Sequence, residues 1–180
     1  MVKVFTALDL PLEVKDYLFE LERKLKDTKL AKVKWTNKKN LHITLKFLGD
    51  VSEKEIEKLK LKFKDIKHSK FKLKLKQLGY YPGEDRIKVI WVGVQDEKNI
   101  IELQKLIDAD TMKLGDLNLG GHITLGRIKS LKEKNKYIKK IKEFNLEKLE
   151  FEVSSFTFYK SDSSKDGPIY TKLETYSLNS

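Results

Sequence analysis

The chain has 180 residues, 39% of them apolar, enough for one compact domain or two small packed lobes. It contains no cysteine, which excludes disulfides, thiolate catalysis and cysteine-ligated zinc or iron–sulfur centres. Lysine and arginine outnumber the acids 38 to 27, a net charge of +11 that suits a polyanionic partner and equally suits the solvated surface of a heat-adapted protein. No apolar run approaches the roughly 20 residues of a membrane span, and the opening MVKVFTALDLP lacks an export-leader pattern, so a cytoplasmic protein is expected.

Val2 to Leu8 is rich in β-formers and ends at Asp9, a suitable helix cap, with Pro11 placed for a first helical turn. Leu10, Val14, Leu18, Leu21 and Leu25 follow at helical spacing and predict one buried stripe. In Leu41-His42-Ile43-Thr44-Leu45-Lys46-Phe47 apolar and polar residues alternate, the period of a strand with one buried face. That alternation places His42, Thr44 and Lys46 together, away from the core. Ser52 to Glu55 is a capping-box pattern that opens a helix carrying Ile56, Leu59, Phe63 and Ile66, and Phe71 to Lys76 alternates as a strand.

Past the turn at Pro82 to Asp85, Ile87 to Val94 reads as a strand, and Asp96 is suited to cap a helix carrying Ile100, Leu103 and Ile107. A second alternating strand begins at His122. Ser130 to Glu133 offers another capping box, ahead of a helix with Tyr137, Ile141 and Phe144 facing inward. Strands at Phe151 to Tyr159 and Ile169 to Leu178 close the chain.

His-Ile-Thr-Leu therefore occurs twice, at 42–45 and 122–125, and the order of elements around it repeats. An internal duplication accounts for both facts, with approximate repeats at 1–80 and 84–180. No Gly, Ser or Pro-rich linker separates them, so a single compact α+β domain over 1–180 is expected, with two βαβαβ-type lobes around a central cleft.

Each lobe then offers one His-x-Thr pair to the cleft. Histidine titrates near neutrality, so two of them facing one phosphodiester can divide the work: one removes a proton from the attacking oxygen, the other protonates the leaving oxygen. A threonine two residues on shares the strand face and can donate to a nonbridging phosphoryl oxygen. Neither step needs a metal or cofactor, and no carboxylate stands at ligand spacing beside either histidine. Lys46 shares the His42 face by alternation and would add positive charge near a phosphate. Arg127 falls on the wrong face by strict alternation, but Gly126 permits a bulge that would re-aim it as a phosphate ligand. Tyr80, Tyr81 and Trp91 are candidates for stacking on a base, and His68 is expected on the surface. A noncatalytic protein that binds RNA ends or nucleotides through the same cleft is the rival reading.

The sequence resembles the RNA 2′,3′-cyclic phosphodiesterases, also called 2′-5′ RNA ligases, of the two-histidine phosphoesterase superfamily. The resemblance rests on Phe5 to Pro11, Trp35, Asn40 to Gly49, Gly79 to Pro82, His122 to Arg127 and Gly167 to Tyr170. It implies a bilobal fold with pseudo-twofold symmetry and hydrolysis of a terminal RNA 2′,3′-cyclic phosphate to a 2′-phosphomonoester, with reversible 2′-5′ ligation as a related activity. It further implies His42 as proton donor to the departing 3′ oxygen, His122 as the base that activates water, and Thr44 and Thr124 as holders of the phosphate. Lys3 and the Gly120-Gly121 pair depart from the family pattern, and the glycines would loosen the approach to the cleft.

Overall fold

The computed structural model describes residues 1–111 and 114–179. The elements run β1 (Val2–Asp9), α1 (Leu12–Asp27), β2 (Ala31–Trp35), a short 3-10 turn (Lys38–Asn40), β3 (His42–Val51), α2 (Glu53–Lys64) and β4 (Phe71–Pro82) in the first half. The second half runs β5 (Ile87–Gln95), α3 (Lys98–Thr111), β6 (His122–Leu131), α4 (Lys134–Glu143), β7 (Glu150–Val153), β8 (Ser155–Ser164) and β9 (Gly167–Ser177).

Among the described residues nine strands form one antiparallel sheet ordered β7-β4-β5-β6-β3-β1-β8-β9, with β2 added to β6. Its six inner strands, β4-β5-β6 and β3-β1-β8, follow one pattern with the halves exchanged. Strand β4 of the first half pairs with β5 of the second, and β8 of the second half pairs with β1 of the first. Each half thus lends a strand to the other, and neither closes its part of the sheet alone. At the centre β3 meets β6 through one pairing, Ile43 with Ile123, which are equivalent positions of the two motifs. A residue paired with its own equivalent lies across the symmetry axis, so the pseudo-twofold crosses the sheet between the two His-x-Thr segments.

The helices cover one face. Leu18, Leu21 and Leu25 of α1, and Ile100, Leu103 and Ile107 of α3, join Ile43, Leu45, Ile123 and Leu125 in one continuous core. Burying an aliphatic side chain of this kind contributes about 1.5–3 kcal/mol. Among the described residues the opposite sheet face carries a small cluster, Phe5, Ala7 and Tyr159 with Tyr170 against it.

Three capping expectations fail. Asp96 has a φ of +61°, and the carbonyl of Glu97 after it accepts the first bond of α3, from Ile101 N at 2.9 Å. Helix α1 starts from Pro11, which makes no side-chain cap bond. Asp9 instead ends β1 and accepts from Tyr159, from Thr157 Oγ1 at 3.2 Å and from Lys172 Nζ at 2.7 Å. Ser130 lies within β6, and α4 starts after Glu133 without a side-chain cap. Ser52 does cap α2, accepting from Glu55 N at 3.2 Å. The final strand stretch from Phe151 is broken at Ser154, where the chain leaves β4 and crosses to β1 as β8.

Candidate active site

Both motif strands carry a bulge at the same place. Against β1, Lys46 pairs with Thr6 and Thr44 with Ala7, so Leu45 is the extra residue. Against β5, Gly126 pairs with Ile90 and Thr124 with Trp91, so Leu125 is extra. A bulge reverses the alternation beyond it. His42 and Thr44, and His122 and Thr124, therefore face the open side of the sheet as the alternation requires, while everything after the bulge is inverted.

The inversion corrects one expectation and meets another. Lys46 does not share the His42 face: it is 2% exposed and points into the helical layer. Its ammonium meets Asp108 Oδ1 at 2.6 Å, Thr111 O at 3.0 Å and Thr111 Oγ1 at 3.1 Å, so its charge is matched inside the core. Phe47, read from the alternation as a core residue, is turned out and is 56% exposed. Arg127 is turned by its own bulge onto the His122 face. Gly126 permits this, because a Cβ there would come within 2.6 Å of Val33 Cγ1 and 3.1 Å of Lys34 O.

The cleft so formed encloses about 900 Å³. Its floor holds His42, Thr44, His122 and Thr124, and its walls include Trp35, Arg127, Trp91 and Tyr170. Tyr81 also lines it, but Tyr80 does not; its hydroxyl donates to Glu84 Oε1 at 2.8 Å outside the cleft. His68 is remote from the cleft and not a surface side chain: its ring is 7% exposed, packed on Phe71 and 3.7 Å from Glu102. Among the described residues no group of three or more His, Asp or Glu is disposed to hold a metal ion.

His42 is held on both ring nitrogens. Nδ1 lies 2.6 Å from the carbonyl of Asn40 and Nε2 lies 2.9 Å from Thr44 Oγ1. A carbonyl only accepts, so Nδ1 carries hydrogen and Nε2 is left as the exchangeable position. Asn40 is itself fixed by donating from Nδ2 to Pro168 O at 2.8 Å. Phe5 and Tyr170 flank the imidazole at 5.3 and 5.5 Å between ring centroids. Burial pushes the His42 pKa below its ordinary value, partly offset by the Asn40 carbonyl and by Asp9.

His122 is more exposed. Burial lowers its pKa as well, with Glu97 pulling the other way. Glu97 also accepts from Gly121 N at 3.3 Å, which places its carboxylate at the entry to β6.

The surroundings of the two histidines are linked by one side chain that the sequence reading missed. Gln104 of α3 is fully buried, and its Nε2 donates to Leu45 O at 3.1 Å and to Asn118 O and Gly120 O at 3.0 Å. Its Oε1 accepts from Gly120 N at 3.0 Å. One amide thus ties the bulge of β3 to the segment leading into His122. Gly120 is pinned by it rather than loose, and its φ of +100° is one that favours glycine. Helical spacing sets Gln104 beside Leu103 and Ile107 but does not say that its partners are a strand bulge and the segment before β6.

Residues 8–91 match the model of the family described as LigT like Phosphoesterase. The RNA 2′,3′-cyclic phosphodiesterase of Methanocaldococcus jannaschii is 34% identical over 97% of this chain and 100% of its own length. The protein of the same name from Methanothermobacter thermautotrophicus is 31% identical over 98% of this chain and 99% of its own. Among solved structures, apo LigT of Escherichia coli superimposes with a TM-score of 0.79 at 25% identity, covering 99% of this chain and 98% of that one. A Thermus thermophilus structure gives 0.78 at 26% identity over 98% of this chain and 97% of its own.

Proposed function

Because the chain belongs to the LigT-like phosphoesterase family of RNA 2′,3′-cyclic phosphodiesterases, we propose that its cleft opens the 2′,3′-cyclic phosphate at the end of an RNA, without a metal, leaving a 2′-phosphate. The observation that carries this reading is the central pairing of Ile43 with Ile123, which sets both His-x-Thr segments side by side on one open sheet face.

In the proposed reaction His122 takes a proton from water as the water oxygen attacks phosphorus. The bond from phosphorus to O3′ breaks, and His42 delivers a proton from Nε2 to that oxygen. The Asn40 carbonyl supports this role for His42, since it fixes the ring with Nε2 as the position that exchanges. Thr44 and Thr124 donate to the nonbridging oxygens, and Arg127 adds cationic charge to the bound RNA backbone. With a 5′-hydroxyl in place of water the same displacement forms a 2′-5′ linkage, which is the proposed ligation. Lys46 has no part in phosphate binding. Residues 1–80 and 84–180 are proposed as the two repeats of one domain.

The test is single-turnover cleavage of a short RNA ending in 2′,3′-cyclic phosphate, with product analysis, before and after chelation. His42→Ala and His122→Ala are each expected to lower the rate by at least about 10²–10⁴ while retaining the parent melting temperature. Near-parent activity in either variant, or loss on chelation, overturns the mechanism. Tight binding with no product from the parent protein is the outcome of a noncatalytic RNA-end binder.

A further inference from the structure

Beyond the reacting phosphate, the sheet lays a straight row of side chains across four strands on the cleft face. Lys34 of β2 pairs with Arg127 of β6, Arg127 with Val89 of β5, and Val89 with Tyr81 of β4. All four line the cleft. Adjacent strands are spaced about 4.8 Å apart, so the row spans about 14 Å. It lies beyond Thr124 along β6, on the far side of the bulge from the histidines.

Two features of this row call for a ligand. Lys34 and Arg127 are like charges directly opposed across neighbouring strands, an arrangement that destabilises a sheet unless an anion sits between them. Both are exposed, and neither forms an ion pair or side-chain hydrogen bond among the described residues. At the other end Tyr81 is 64% exposed, with its ring offered to the same cleft. A cation pair at one end and an unpacked aromatic at the other match the two parts of a nucleotide, one anionic and one a flat π-face.

We propose that this row is a subsite for the nucleotide that precedes the cyclic end. The internucleotide phosphate lies between Lys34 and Arg127, and the base of that nucleotide stacks on Tyr81. The enzyme then selects an RNA chain over a free nucleoside 2′,3′-cyclic phosphate. This rests on the function proposed above, since the row is placed relative to the two histidines.

The experiment compares kcat/KM on cytidine 2′,3′-cyclic phosphate with kcat/KM on the cytidine dinucleotide ending in the same group. The parent is expected to favour the dinucleotide by about tenfold or more, the scale of one charge-assisted hydrogen bond or one stacked base. Lys34→Gln and Tyr81→Ala should each remove most of that preference by lowering the dinucleotide value alone, and Lys34→Arg should retain it. The dependence of the dinucleotide KM on salt should weaken in Lys34→Gln by about one phosphate contact. Equal turnover of both substrates by the parent overturns the subsite, as does a loss in Lys34→Gln that falls on both substrates alike. Failure of the parent to cleave either substrate instead overturns the function on which the subsite rests.

Discussion

The two halves of the site share a bulge and differ in what it exposes. In the first half the bulge at Leu45 turns Phe47 outward, onto Phe5 at 5.7 Å, which in turn stacks on Tyr159 at 5.2 Å. In the second, the bulge at Leu125 turns Arg127 outward, beside Lys34 and Val89. The equivalent rows are thus Phe47-Phe5-Tyr159 and Arg127-Val89-Tyr81. One is an aromatic wall that dries His42, the other a cationic shelf that leaves His122 open. Duplication supplies two like groups; only the difference between their surroundings can make one an acid and the other a base.

The helices carry the same lesson. Leu18, Leu21, Glu22 and Leu25 of α1 have the spacing of Ile100, Leu103, Gln104 and Ile107 of α3, and all eight are buried. Gln104 donates to the carbonyl of the bulged Leu45, whereas the carbonyl of the bulged Leu125 is taken by the backbone N–H of Thr36 at 2.8 Å. Glu22, at the equivalent place, has a buried Oε1 without a hydrogen-bond partner among the described residues. The same substitution at these two positions should therefore have unequal effects on turnover. Gln104→Leu removes the tie between the two motifs and is expected to cut kcat by about 10²-fold, the cost of misplacing a reacting group by about 1 Å, with KM much less affected. Glu22→Leu should leave kcat at the parent value. Steady-state kinetics well under each melting temperature decides it, and an equal fall in kcat in both would dissolve the distinction.

Glu22 also gives the comparison a pH signature. Burial pushes its pKa up to about 8 from an unfolded value of 4.5, so the folded chain holds a proton there that the unfolded chain releases. Stability should fall as pH rises from about 4.5 to 8, because the folded state binds more protons across that window. Glu22→Leu should flatten that decline and raise the unfolding free energy at pH 8 by about 2 kcal/mol in denaturant titrations. A slope unchanged by the substitution would mean that the carboxyl reaches water in the folded state.

How much of this was legible beforehand follows from what each feature depends on. The stripe of α1, the strand at 42–47 and the repeated His-x-Thr follow from local period, and the structure keeps them. The bulges depend on the partner strand: nothing in Leu41 to Phe47 says that β1 pairs two residues against three, so Lys46 and Phe47 were assigned to the wrong faces. Arg127 was recoverable only because Gly126 hinted at irregularity. Lending of β4 and β8 between halves leaves no mark on either strand's own alternation. The side chains of Asn40 and Gln104 are held by backbone groups distant in sequence, and side-chain type gives no sign of such partners.

Smaller in effect is the test of the rows themselves through pH. Both histidines are shifted below 6.5 in the free protein, so the bell of log kcat/KM against pH should be centred on the acid side of that value. His42 must be protonated to act as the acid, and desolvation opposes that. Phe47→Ala opens the aromatic row to water, should raise the His42 pKa, and should move one limb of the bell upward by less than about one pH unit. Glu97→Gln removes the carboxylate that supports protonation of His122 while keeping an acceptor for Gly121 N–H. Its limb should move downward by a comparable amount, because His122 must be unprotonated to act as the base and now loses its proton more readily. The two limbs must be different ones, each moved by the variant on its own side of the cleft. A single limb moved by both variants would mean that the two rows act on one titrating unit, and that the asymmetry between Phe47 and Arg127 does not divide acid from base.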